Sequence, residues 1–137
     1  MAKIPQEVQE LFTKVDAVAF ATARKEDAQP NICMVGMKKI IDDETIYLSD
    51  QFFKKTLANV LENDKIAVAF WSPEGAYNIY GTARYVNEGP EYEEQKAWAD
   101  GVFAAMGAPL VAKGGIFMHV DAVFSSSPGP TAGEQIA

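Results

Sequence analysis

Apolar side chains recur at helical spacing near the start of the chain. Ile4, Val8, Leu11 and Phe12, with Pro5 where a first helical turn tolerates proline, predict a short amphipathic helix. The period then shortens. Positions 15–22 read as a strand, Lys25-Glu26-Asp27 as a polar turn, and positions 31–41 as one long second strand rich in β-branched and sulfur side chains. Asp42-Asp43-Glu44 makes a charged hairpin turn into a third strand at 45–48. Ser49 or Asp50 is placed to cap a helix whose apolar face is Phe53, Leu57, Val60 and Leu61 and which ends near Asn63-Asp64.

The second half repeats the alternation. Positions 66–71 form a near-continuous apolar run, read as a buried strand, and 77–87 a longer strand in which Gly81 marks a bend or a close backbone approach. Trp98, Val102, Ala105 and Met106 give positions 91–106 a helical stripe read as its packed face. Gly107, Pro109 and Gly114-Gly115 loosen the chain before a last strand at 116–124, and the Ser- and Pro-rich tail 125–137 is expected to be loose unless a partner surface holds it. Six strands with three helices at the rim imply a small, mainly β barrel occupying residues 1–124.

Composition narrows the function classes. With 12 Lys and Arg against 19 Asp and Glu the chain carries a formal charge of −7, which repels nucleic-acid backbones and anionic lipid. An oligonucleotide-binding barrel is therefore disfavoured. One Cys and one His cannot assemble a structural zinc site without carboxylates, and no metal centre is expected. A single Cys fits a reducing cytoplasm, the opening residues lack the apolar core of a secretory signal, and no apolar run reaches the roughly 18 residues of a spanning helix.

The chemistry gathers at Tyr47-Leu48-Ser49-Asp50-Gln51-Phe52-Phe53-Lys54-Lys55-Thr56, where a strand ends, a hydroxyl follows and two lysines open a helix. First-turn N–H groups lack helical partners and attract anions, so Ser49, Lys54, Lys55 and Thr56 form a candidate phosphate cup. Lysines at a helix start oppose the helix dipole, which favours a functional reason over a solvated face. Other residues have plainer readings: Cys33 as a small buried hydrophobe, His119 as a hydrogen-bonded structural residue, Glu91, Glu93 and Glu94 as dipole partners. Trp71, Tyr77 and Tyr80 suit either core packing or stacking on a ring.

The order of these pieces resembles the FMN-binding split barrels related to pyridoxamine 5′-phosphate oxidase. The resemblance rests on the aliphatic run 32–41, the strand ending in Ser49, Lys54-Lys55-Thr56, Ala58-Asn59-Val60, the run 66–71 and Tyr77-Asn78-Ile79-Tyr80-Gly81-Thr82-Ala83. It implies a six-stranded split β-barrel and a homodimer with FMN in grooves between subunits. Ser49, Lys54, Lys55 and Thr56 would hold the phosphate, and the backbone of Cys33, Met34, Val35 and Gly36 would line the ring. A deazaflavin replaces FMN in some relatives.

The chain departs from the oxidases themselves. It ends in Ser-Pro-Gly-Pro and polar residues instead of a basic, aromatic-rich segment, and offers Asn31, Cys33 and Met34 where they bring an Arg. The implied role is thus a small flavin-dependent oxidoreductase or electron-transfer module with its own donor and acceptor, the alternative being a non-catalytic flavin carrier. Dimerisation is expected independently, because the strands hold more aliphatic surface than one small barrel readily buries.

Overall fold

The computed structural model describes residues 2–137. Its elements run α1 (Gln6–Lys14), β1 (Val18–Ala23), β2 (Pro30–Val35), β3 (Lys38–Asp42), β4 (Thr45–Asp50), α2 (Lys55–Glu62), β5 (Lys65–Ser72), β6 (Gly75–Val86), α3 (Pro90–Ala105) and β7 (Gly114–Ser125). The seven strands make one antiparallel sheet in the order β2-β1-β5-β6-β7-β4-β3. Its two outermost strands, β2 and β3, are separated in sequence only by Gly36 and Met37. The sheet must therefore curl until its ends lie at consecutive stretches of chain, which is a split barrel.

This corrects the strand count. The single strand expected at 31–41 is divided into two, because residues before Gly36 pair with β1 while residues after Met37 pair with β4 on the far side. Gly81 behaves as expected: the β6–β7 register shifts between Tyr80 and Gly81, and a Cβ there would lie 2.6 Å from the His119 carbonyl oxygen. Gly114 and Gly115 do not loosen the chain. They belong to β7, and side chains there would meet the Tyr85 hydroxyl at 2.0 Å and the Tyr47 hydroxyl at 2.1 Å.

Alternation fills the interior. Val18, Phe20, Val68, Phe70, Ile79, Ile46, Leu48, Ile116 and Met118 are fully enclosed, and Phe12 of α1 meets Phe70 edge-on at 5.4 Å between ring centres. Each such side chain stabilises the fold by about 1.5–3 kcal/mol relative to exposure. The alternate positions of β1 and β5 carry Ala19, Ala21, Ala67 and Ala69, paired as Ala19 with Ala69 and Ala21 with Ala67. Trp71, expected inside a buried strand, instead points outward.

The later helices depart from the expected faces to different degrees: α2 keeps Val60 in the core and Phe53 packed against it but adds Thr56 and Asn59 and releases Leu61, whereas α3 is rotated. In α2 the buried residues are Thr56, Asn59 and Val60, while Leu61 is exposed. Hydrogen bonds make this polar face suitable for burial: Asn59 Nδ2 donates to Thr22 Oγ1 at 3.0 Å, and Asn31 Nδ2 to Thr56 Oγ1 at 3.0 Å. In α3 the buried face is Tyr92, Gln95, Ala99 and Phe103, leaving Trp98 and Val102 half-buried and Met106 exposed. The tail is not loose either. Its end returns along β7, with Ile136 N–H donating to the Val123 carbonyl at 2.8 Å and Val123 N–H to the Ala137 carbonyl at 3.0 Å.

Among the described residues no helix is long and apolar enough to cross a membrane.

Candidate functional site

Where β2 leaves the sheet edge, a cleft of about 760 Å³ opens between two walls. One wall is formed by Cys33, Met34, Val35 and Gly36 together with Ser49, Gln51, Phe52 and Phe53. The other is Trp98, Val102, Phe103, Met106 and Leu110, from α3 and the segment after it. Lys14, Asp16 and Lys38 add charge to the lining.

The first wall is chemically unusual because β2 is a terminal strand, paired among the described residues with β1 alone. Alternate backbone N–H and C=O groups on its far side have no ladder partner and can serve a planar heterocycle with polar edges. Side-chain chemistry is sparse by comparison. Ser49 is buried at the end of β4, where its hydroxyl accepts a hydrogen bond from Gln51 Nε2 at 2.6 Å. Cys33 is half-buried, and its sulfur accepts the Thr56 hydroxyl proton at 3.4 Å. Burial pushes the Cys33 thiol up, with the Thr56 hydrogen bond opposing and the Asp50 charge adding to the rise.

Five of the eight residues read from the sequence thus line the cleft: Cys33, Met34, Val35, Gly36 and Ser49. Lys54, Lys55 and Thr56 do not. They follow directly on Phe53, and Thr56 touches the site only through Cys33. The helix they open also starts later than expected. It begins at Lys55, with no side-chain cap at Lys54, because Asp50 spends a carboxylate oxygen on the Phe53 N–H at 2.8 Å and so closes the Gln51–Phe53 turn first. Both lysines are exposed, with neither an ion pair nor a side-chain hydrogen bond among the described residues.

Sequence reading missed the second wall and the charged residues of the lining. Trp98, Val102 and Met106 had the right spacing for a common face, but that face fronts the cleft, not the core. Lys39 fastens it from below, its ammonium 4.9 Å from the Trp98 ring centre and donating to Gln95 Oε1 at 3.3 Å. Lys38 lies over the buried Phe12 ring at 5.2 Å, and burial lowers its pKa against the pull of Asp16. His119 is paired in register with Thr45 and Thr82 and lines no part of the cleft.

Comparison with known proteins gives the cleft its context. The sequence profile described as pyridoxamine 5′-phosphate oxidase matches residues 4–118. An uncharacterized protein of Methanocaldococcus jannaschii is 34% identical over 125 residues, covering 89% of this chain and 80% of that one. The crystal structure of HupZ from Group A Streptococcus is 31% identical and superposes with a TM-score of 0.79, covering 95% of this chain and 99% of the other. An FMN-binding protein from Syntrophomonas wolfei shares the fold at 18% identity, with a TM-score of 0.72 and coverage of 87% and 83%.

Proposed function

Because this chain belongs to the pyridoxamine 5′-phosphate oxidase family, we propose that it binds FMN in this cleft and acts as a small flavin-dependent oxidoreductase or electron-transfer module. The observation that carries the reading is a cleft lined both by the end of the terminal strand β2 with Gly36 and by apolar side chains of α3, with Lys54 and Lys55, unpaired among the described residues, directly after its lining residue Phe53. The volume lies within the roughly 300–1,000 Å³ of small-molecule sites. FMN has a flat ring with apolar faces and a polar rim, attached to a phosphate; the cleft lining offers apolar and polar groups to the ring, and Lys54 and Lys55, just outside that lining, offer charge to the phosphate.

The chain's own residues divide the work. Backbone groups of Cys33–Gly36 would satisfy the rim of the ring, and Trp98, Val102 and Met106 would cover a face and keep water from it. Lys54 and Lys55 would supply charge to the phosphate, with Ser49 near its approach. Thr56 can join them, because its proton rests on a thiol, a weak acceptor that a phosphate oxygen outcompetes. The flavin, when bound, supplies hydride and single-electron chemistry that no side chain here provides.

The protein works in this reading as a homodimer. The outward side of the sheet supports that: Ala19, Ala21, Ala67 and Ala69 form a flat apolar field, bordered by exposed Ile32, Met34 and Trp71. A second copy can approach such a field closely.

The purified protein is expected to be yellow and to release FMN on denaturation. Lys55→Ala should weaken FMN by about 1.5–3 kcal/mol while leaving riboflavin nearly unchanged, as loss of a charge-assisted phosphate contact requires. Fluorescence quenching measures both affinities. Equal losses would remove Lys55 from the phosphate site, and a colourless protein that takes up no added FMN would overturn the reading. A loaded protein whose flavin no reductant turns over would be a carrier.

A further inference from the structure

Asp50 is fully buried at the end of β4, yet three donors converge on its carboxylate. Tyr85 Oη donates at 2.6 Å, Lys113 Nζ at 2.8 Å and the Phe53 N–H at 2.8 Å. Lys113 also donates its ammonium to the Phe53 carbonyl at 3.2 Å and its backbone N–H to the Asp50 carbonyl at 2.9 Å. One carboxylate and one lysine therefore hold the Gln51–Phe53 turn by both its N–H and its C=O ends. The turn is part of the first wall of the cleft, whereas Lys113 ends the segment that carries Met106 and Leu110 of the second.

That segment, residues 106–113, is otherwise lightly held. Gly107 takes a left-handed φ of +71° as α3 ends, and Val111 is exposed. Ala108 N–H still reaches back to the Phe103 carbonyl, but among the described residues the N–H groups of Leu110 and Val111 have no backbone partner. The next anchors are Asp100 Oδ1, which accepts the Ala112 N–H at 2.9 Å, and then Lys113 itself. A buried carboxylate with a half-exposed lysine contributes little net stability as an ion pair, since desolvation offsets the attraction. Its structural consequence is the connection it makes.

We propose that Asp50 and Lys113 are positioning residues that latch the α3–β7 segment to the β4–α2 turn, fixing the distance between the two walls of the cleft and retaining the ligand held between them. The proposal rests on the reading of the cleft as a flavin site for its ligand, but the latch itself is a property of the chain. Arg in place of Lys113 preserves the charge and the reach to both acceptors, whereas Met preserves only the apolar stem.

The test measures amide hydrogen exchange by mass spectrometry on the wild type, Lys113→Met, Lys113→Arg and the charge-balanced double variant Asp50→Asn with Lys113→Met. Dissociation of FMN by stopped-flow dilution is followed in parallel. Lys113→Met and the double variant should speed exchange about tenfold in peptides covering 106–113 and 51–54 while leaving β5 protected, and should speed FMN release by a similar factor. Lys113→Arg should restore both. Unchanged exchange at 106–113 in Lys113→Met and the double variant would overturn the latch, as would a rise of equal size in β5, which reports general destabilisation. Altered exchange with unaltered FMN release would overturn its role in retention. If the wild type takes up no FMN, the flavin reading fails, and exchange in the two segments still decides whether the walls are latched.

Discussion

The two sides of strands β1 and β5 obey different rules. On the inner side Phe20, Val68 and Phe70 are at most 1% exposed, and their bulk fills the barrel. On the outer side, one residue away in each case, stand Ala19, Ala21, Ala67 and Ala69, with Ile32 and Trp71 at the margins 67% and 63% exposed. A sheet face meant for water alternates apolar inside with polar outside. Here both sides are apolar and differ in size. The inner side carries bulk and the outer side small side chains, which on the dimeric reading would let a second copy approach closely.

Substitutions sharpen that contrast. The largest effect is expected inside: Phe70→Ala removes the partner of Phe12 and should lower unfolding free energy by about 3–5 kcal/mol, read from the urea midpoint. Outside, Ala69→Arg should leave each subunit folded but weaken self-association about a hundredfold, roughly 2.8 kcal/mol, measured by sedimentation equilibrium. A monomeric wild type, or an Ala69→Arg protein that dimerises normally, would break the assignment of the outer side.

The smallest effect is a matter of pH. Burial pushes the Tyr47 phenol up to about 12, and burial with the Asp50 contact raises that of Tyr85 further. Both groups are raised above the unfolded value of about 10, so their contribution to stability is intact below that pH. It is lost as pH rises toward the folded values. Absorbance at 295 nm should show Tyr47 and Tyr85 ionising late, and the urea midpoint should fall between pH 10 and 12. A midpoint unchanged over that interval would contradict the enclosure of these phenols.

Much of this architecture was legible in the chain, and the failures share a cause. The first helix, the strands and the two later helices announce themselves because period and punctuation are local. The break at Gly36–Met37 was invisible because apolar residues continue on both sides, and only pairing with β1 and then β4 tells the halves apart. The orientation of α2 was misread because Leu57 and Leu61 looked like a core face. Thr56 and Asn59 displace them through partners on other strands, among them Thr22, 37 residues from Asn59. Of the residues that line the cleft, Ser49 was read from the end of its strand, whereas the run 33–36 came from the family resemblance alone, since it sat in the middle of an expected strand. The opposing wall was not found, since a stripe such as Trp98, Val102 and Met106 gives no sign of whether it meets a core or a cavity. The Asp50–Lys113 contact spans 63 positions and leaves no local trace.

The unpaired side of β2 has a consequence for handling the protein. Groups that lack a ladder partner are a template on which any extended chain can add as a further strand, and the sequence beside them, Ile32 and Met34, is apolar and uncharged. A heterocycle seated against Cys33–Gly36 would occupy that template as a surrogate strand. On the proposed flavin reading, loading and colloidal behaviour are linked: protein without flavin should aggregate through β2, with light scattering that falls as FMN is added and does not respond to phosphate alone.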